Sequence, residues 1–69
     1  MIPSSYIELA RTGVHIDISN ESHMPASLIE LARVVANSGG HLTISGNGFM
    51  PASFLELARA GRGHLTIKF

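Results

Sequence analysis

One motif occurs three times along the 69 residues of this chain, and it constrains the fold more than any other feature. The copies read IPSSYIELARTGVHIDI, MPASLIELARVVANSGGHLTI and MPASFLELARAGRGHLTI. We predict a single domain, residues 1–69, built of three repeats that cover approximately residues 2–19, 24–45 and 50–68. A unit of this length cannot bury its own apolar face, so its neighbours must complete the core.

The first half of each copy has the pattern of an amphipathic helix. A proline suits the first helical turn, because the amide N–H that it lacks would have no partner there. Two residues later, Ser5, Ser27 and Ser53 each precede a glutamate by three residues, which is the spacing of a capping box. Glycines after each helical pattern indicate where the helices end. We expect the middle helix to run about one turn longer, since Val35 continues its apolar face.

The second half of each copy alternates polar and apolar residues, as a strand does when one of its faces is buried. The apolar positions, which we expect to face the core, are Ile16, Leu42 and Leu65, followed by Ile18, Ile44 and Ile67. The polar positions, which we expect to face outward, are His15, His41 and His64, then Asp17, Thr43 and Thr66, then Ser19, Ser45 and Lys68. Each strand therefore has one row for the core and one for the surface.

Strands that alternate with helices pair in parallel through right-handed crossovers. The order of elements therefore predicts an α/β fold with a three-stranded parallel sheet in sequential order and all three helices on one face. The main alternative is a compact α/β sandwich formed by two subunits. In the sequential sheet the first and third strands each leave an open edge, and open edges pair with other chains unless they are blunted.

The spacing of the copies resembles that of leucine-rich repeats. The three prolines that begin the helical halves are 22 and 26 residues apart, within the roughly 20–29 residues of that family. The segment Leu42-x-Ile44-x-x-Asn47-x-Phe49 is similar to part of the family's motif, although the first join lacks it and the third copy ends before its asparagine. The resemblance implies a solenoid-like architecture over the whole chain and protein binding on the open sheet face.

Composition favours association over an isolated monomer. Apolar residues make up 45% of the chain and charged residues only 14%, and five basic residues balance five acidic ones. A net charge near zero promotes association, and the chain has no cysteine to form a stabilising disulfide. We therefore expect a homo-oligomer that pairs through its sheet edges. The lack of a basic patch argues against nucleic acid as a partner.

The sequence also predicts no membrane partner. No apolar run approaches the roughly 20 residues that a membrane-spanning helix needs. The first residues lack the basic-then-apolar pattern of a signal peptide. We expect a cytoplasmic protein.

The row of histidines is the strongest candidate for chemistry. With the strands in register, His15, His41 and His64 stand side by side about 4.8 Å apart, and three histidines with the nearby carboxylate of Asp17 would suit zinc. A flat ladder holds its side chains parallel, however, whereas a tetrahedral site needs them to converge. A metal-binding module that uses this row is our second hypothesis.

The leading hypothesis is a non-enzymatic repeat module for protein–protein interaction and self-association. We find no cofactor motif, and the serines, histidines and aspartate of the outer face show no evident pocket or oxyanion hole. A small enzyme with its active site at a subunit interface is a third hypothesis. The expected interaction face consists of His15, Asp17, His41, Thr43, His64 and Thr66.

Overall fold

A computed structural model describes residues 3–46 and 48–69 of the chain. Asn47, the asparagine of the segment that resembles leucine-rich repeats, lies outside the described residues, as do residues 1 and 2. Helix and strand alternate three times along the chain. The elements are α1 (Ser4–Arg11), β1 (His15–Asp17), α2 (Pro25–Ser38), β2 (His41–Ser45), α3 (Pro51–Gly61) and β3 (Leu65–Lys68).

The three strands form one parallel sheet in the order β1-β2-β3, which confirms the predicted α/β fold and its strand order. The register pairs His15 with His41 in the first ladder and Leu42 with Leu65 in the second. Beyond the end of β1, the N–H of Ile18 still donates to the carbonyl of Thr43 at 2.9 Å. The sheet is therefore in the register that aligns equivalent positions of the three copies.

The core lies between the helices and one face of the sheet. Helices α1 and α3 each contact α2, so the helices lie side by side in chain order. The buried cluster consists of Ala10, Ile18, Leu28, Leu31, Ala32, Val35, Leu42, Ile44 and Leu57. Because this cluster joins residues of all three helices to Leu42 and Ile44, the helices cover the sheet face that carries those two residues. A fully buried leucine or isoleucine contributes about 1.5–3 kcal/mol, so this face accounts for much of the stability.

The helices begin within one residue of their prolines, as predicted, but the capping boxes do not form. The N-cap residues are Pro3, Met24 and Met50, and none of them makes a side-chain capping hydrogen bond. Each serine instead lies inside the first turn, where the N–H of Ser27 donates to the carbonyl of Met24 at 3.1 Å. The capping-box prediction was wrong because the proline begins the helix before the serine can occupy the cap position.

Glycines end the helices in two different ways. Gly39 caps α2 in the left-handed conformation, with φ of 84°, and its N–H donates to the carbonyl of Val35 at 3.1 Å. At the end of α3 the C-cap residue is Arg62, left-handed with φ of 47°, and it is followed by Gly63, which is also left-handed. Gly61 is buried there, and it packs so closely that an added Cβ would lie 2.9 Å from the Cβ of Leu65.

The lengths of the helices agree with the sequence pattern. Helix α2 has 14 residues and α3 has 11, so the middle helix is longer by nearly one turn, as predicted. In the described part of the chain, no helix is long and apolar enough to cross a membrane.

Candidate interaction surfaces

The outer face of the sheet lies opposite the core and carries the polar rows of the three strands. Alternation along β2 buries Leu42 and Ile44 and leaves His41, Thr43 and Ser45 half-buried on the other side. The six residues of the predicted interaction face all fall on this outer side, three of them exposed and three half-buried. The exposed ones are His15, Asp17 and Thr66, and the half-buried ones are His41, Thr43 and His64.

Hydrogen bonds link the histidine row from strand to strand. The Nε2 of His41 lies 2.7 Å from the hydroxyl of Thr66 on β3. The Nδ1 of His64 donates to the carbonyl of Gly40 at 2.8 Å. The rings of His15 and His41 are neighbours, with centroids 5.9 Å apart and planes tilted by 46°. The row is therefore an ordered polar ladder in which each histidine has a neighbour on the next strand or loop.

The three histidines do not converge on one point. Among residues 3–46 and 48–69, no group of three or more His, Asp or Glu side chains is arranged to hold a metal ion. Two of the three imidazoles, those of His41 and His64, already use one ring nitrogen in a hydrogen bond. The hypothesis of metal binding through this row stays a prediction.

The side chain of Asp17 turns back onto its own strand. Its Oδ1 accepts hydrogen bonds from the backbone N–H of Ser19 at 3.0 Å and from the Ser19 hydroxyl at 2.7 Å. These bonds, with a smaller contribution from the positive charge of Lys68, lower the pKa of Asp17. Because the carboxylate occupies the N–H of Ser19, it removes one donor from the end of β1.

The outer edges of β1 and β3 have no neighbouring strand within the described residues. At the two ends of the β2–β3 ladder, the carbonyls of His64 and Lys68 accept hydrogen bonds from the N–H groups of Leu42 and Gly46, at 2.9 and 2.8 Å. Backbone groups of alternate residues in a parallel strand point to opposite neighbours. The amides of Leu65 and Ile67 therefore point to the outer edge, where a further strand could pair with them.

An open groove of about 750 Å³ lies where β1 and β2 end and where α2 and α3 begin. The side chains of Met24 and Met50, which are the N-cap residues of the two helices, line it and are largely exposed. The polar residues that line it are Ser19, Asn20, Glu21, Ser22, His23, Ser45 and Ser53. From the sequence, the segments between β1 and α2 and between β2 and α3 were expected to be short connections only. The sequence did not predict the groove that they form.

Glu21 is the centre of a small hydrogen-bonded network beside this groove. Its carboxylate accepts from the phenol of Tyr6 and lies 2.8 Å from the Nε2 of His23. The bonds from His23 and Tyr6 lower the pKa of Glu21, and the bond to Glu21 raises the pKa of Tyr6. Tyr6 and Glu21 are 15 residues apart, and no local pattern signals their contact. Only the Glu-x-His spacing, which places both side chains on one side of an extended segment, could have suggested part of it.

Comparison with known proteins does not assign the chain to a family. No protein-family model matches it, and no curated protein or solved structure matches it significantly. The likeness to leucine-rich repeats therefore rests only on the spacing of the copies and on the segment from Leu42 to Phe49.

Proposed function

We propose that this chain is a non-enzymatic, solenoid-like repeat module for protein–protein interaction, which associates with copies of itself and offers its outer sheet face to a protein partner. The observation that carries the proposal is the pair of open sheet edges. Within the described residues neither β1 nor β3 has a neighbouring strand on its outer edge, and such edges pair readily with another strand. A net charge of zero leaves little repulsion between copies.

The outer face suits a polar protein partner. Its rows contain imidazole, hydroxyl and carboxylate groups and no large apolar side chain. Such a surface recognises a partner by hydrogen bonds, with few contacts that depend on burial of apolar area. The polar ladder formed by His41, Thr66 and His64 is already ordered, so little side-chain entropy is lost on binding.

Light scattering after size exclusion tests the self-association. At micromolar concentration we expect a mass above the 7.4 kDa of one chain, falling towards that value on dilution. A Thr43→Arg variant changes the centre of the outer face and serves as the matched control. Its mass should equal that of the parent, because the edges join the copies and the outer face does not. A parent that stays at 7.4 kDa over the whole series would overturn the proposal of self-association.

A metal-binding module is the second candidate, and one observation favours it. The Nδ1 of His64 donates to a backbone carbonyl, an arrangement common in histidines that bind a metal through Nε2. The ring of His41 lies beside that of His15 on the same face. Binding would require these side chains to rotate towards one another, and titration with zinc decides the matter.

A further inference from the structure

Equivalent leucines of the three helices are buried to different extents. Leu31 of α2 and Leu57 of α3 are both 0% exposed, whereas the equivalent Leu9 of α1 is 50% exposed. Each of the two buried leucines belongs to a helix that follows another helix, and Leu9 belongs to the first helix of the described residues. The burial of Leu31 and Leu57 therefore follows from the helix that precedes each of them.

The alanine that follows each leucine shows the opposite pattern. Ala10 of α1 and Ala32 of α2 are buried in the core, whereas Ala58 of α3 is exposed. Here the two buried alanines belong to helices that precede another helix. The burial of Ala10 and Ala32 therefore follows from the helix that comes after each of them, and on α3 Leu55, one turn before Ala58, is also exposed, at 59%.

Each contact between neighbouring helices thus joins a leucine face to an alanine face. All four residues belong to the buried cluster, and α2 contacts both α1 and α3, so the burial pattern places Leu31 towards α1 with Ala10, and Leu57 towards α2 with Ala32. Each outer side of the molecule exposes one of these two kinds of face. Leu9 lies on the outer side of α1, and the complementary alanine face lies on the outer side of α3.

The sheet edges repeat this complementarity. Between β2 and β3, the N–H of Leu42 donates to the carbonyl of His64 at 2.9 Å. Leu65 pairs with Leu42 in the register and is its equivalent in the last copy, and His15 is the equivalent of His64 in the first. If the pattern continues into a second copy, the outward N–H of Leu65 meets the carbonyl of His15.

We propose that copies of this chain stack head to tail, with α1 and β1 of one copy against α3 and β3 of the next. The inference rests on the self-association part of the proposed function and specifies its geometry. In this stacking, the contacts between two copies repeat the contacts that join neighbouring helices and strands within one molecule. Such a contact is heterologous, because the two surfaces differ, and it builds an open array and no closed two-fold dimer.

Two variants that block opposite sides of the molecule test this geometry. Leu9→Glu places a charge on the α1 side, and Ala58→Glu places one on the α3 side. Both positions are exposed, so the fold should be kept, and circular dichroism with thermal unfolding verifies it. If one variant unfolds, Leu9→Gln or Ala58→Lys replaces it.

The masses are measured at a concentration at which the parent forms larger species. Each variant alone should remain at the 7.4 kDa of one chain. An equimolar mixture should form one species of twice that mass, because each variant keeps the surface that the other has lost. Addition of the parent chain to this mixture should raise the measured mass further, because the parent keeps both surfaces.

The other outcomes separate the two proposals. A parent that is monomeric throughout overturns both the stacking and the self-association. A parent that associates together with variants that associate equally well overturns the stacking and leaves self-association in place. Monomeric variants that do not combine when mixed also overturn the stacking, because pairing of like surfaces cannot be restored by mixing.

Discussion

The phenol of Tyr6 donates hydrogen bonds to both carboxylate oxygens of Glu21, at 3.1 and 3.0 Å. This contact ties α1 to the segment that leads from β1 into α2. The Nε2 of His23 lies 2.8 Å from the Oε1 of the same carboxylate, and its ring meets the ring of Tyr6 edge-on, with centroids 6.2 Å apart. The three side chains therefore hold the segment between β1 and α2 in place.

Stability should fall in acid through Glu21. The bonds from His23 and Tyr6 lower the pKa of Glu21 below its ordinary value of 4.5. A carboxylate whose pKa is lowered by folding stabilises the folded state above the ordinary value, and that contribution is lost as pH falls through the folded-state pKa. In thermal unfolding followed against pH, Glu21→Gln should lower the midpoint near neutrality and flatten its decline in acid. Glu8→Gln, which removes an exposed carboxylate, should keep the decline of the parent, and equal profiles for the two variants would contradict the role of Glu21.

Equivalent leucines should contribute unequally to stability. Leu31→Ala removes a side chain that is fully buried between helices and sheet and should cost about 2–5 kcal/mol. Leu9→Ala changes the half-exposed equivalent and should cost less than about 0.5 kcal/mol. Denaturant unfolding at a concentration where the protein is dissociated measures both. Equal losses would show that the two positions have similar surroundings.

Two adjacent glycines should respond differently to alanine. An added Cβ at Gly40 would lie 2.5 Å from the carbonyl oxygen of Val14, and this backbone atom cannot move aside, so Gly40→Ala should cost about 3 kcal/mol or more. At Gly39 there is open space, and only the left-handed backbone opposes a side chain, so Gly39→Ala should cost about 1–2 kcal/mol. Chemical unfolding of the two variants beside the parent gives the difference, and a larger loss at Gly39 would contradict the close approach of the two chain segments.

Zinc should bind weakly or not at all to the histidine row. His41 and His64 each use a ring nitrogen in a hydrogen bond, and the rings of His15 and His41 are tilted and do not converge. Calorimetric titration of the parent with zinc should therefore show no stoichiometric heat. A heat that is present in the parent and absent in His41→Ala would establish the metal-binding hypothesis instead.

Much of the fold could be predicted because its signals are local. The alternation around Ile44 and Thr43 places one in the core and the other on the outer face, and this depends only on the pleat of a strand. Alternating helices and strands predict a parallel sheet by the rule of crossover connections. The outer row of the candidate surface follows from the same alternation.

The contacts that depend on neighbours in space could not be predicted in this way. A capping box was expected at Ser27, but the helix begins at Pro25. Gly61 and Gly63 indicated the end of α3, and Gly63 is left-handed, but the C-cap residue is Arg62, and the close approach of Gly61 to Leu65 had no local signal.

The sequence by itself determined the three helix–strand units, the direction of each strand's side chains and the polar composition of the outer face. Only the tertiary structure decided that equivalent positions of the repeat differ in burial: Leu31 is buried, whereas Leu9 is half-exposed. It also brought Tyr6 to Glu21 and formed the groove between the joins. The physical reason is that periodicity is a property of one segment, whereas burial depends on which neighbouring element removes water from a side chain.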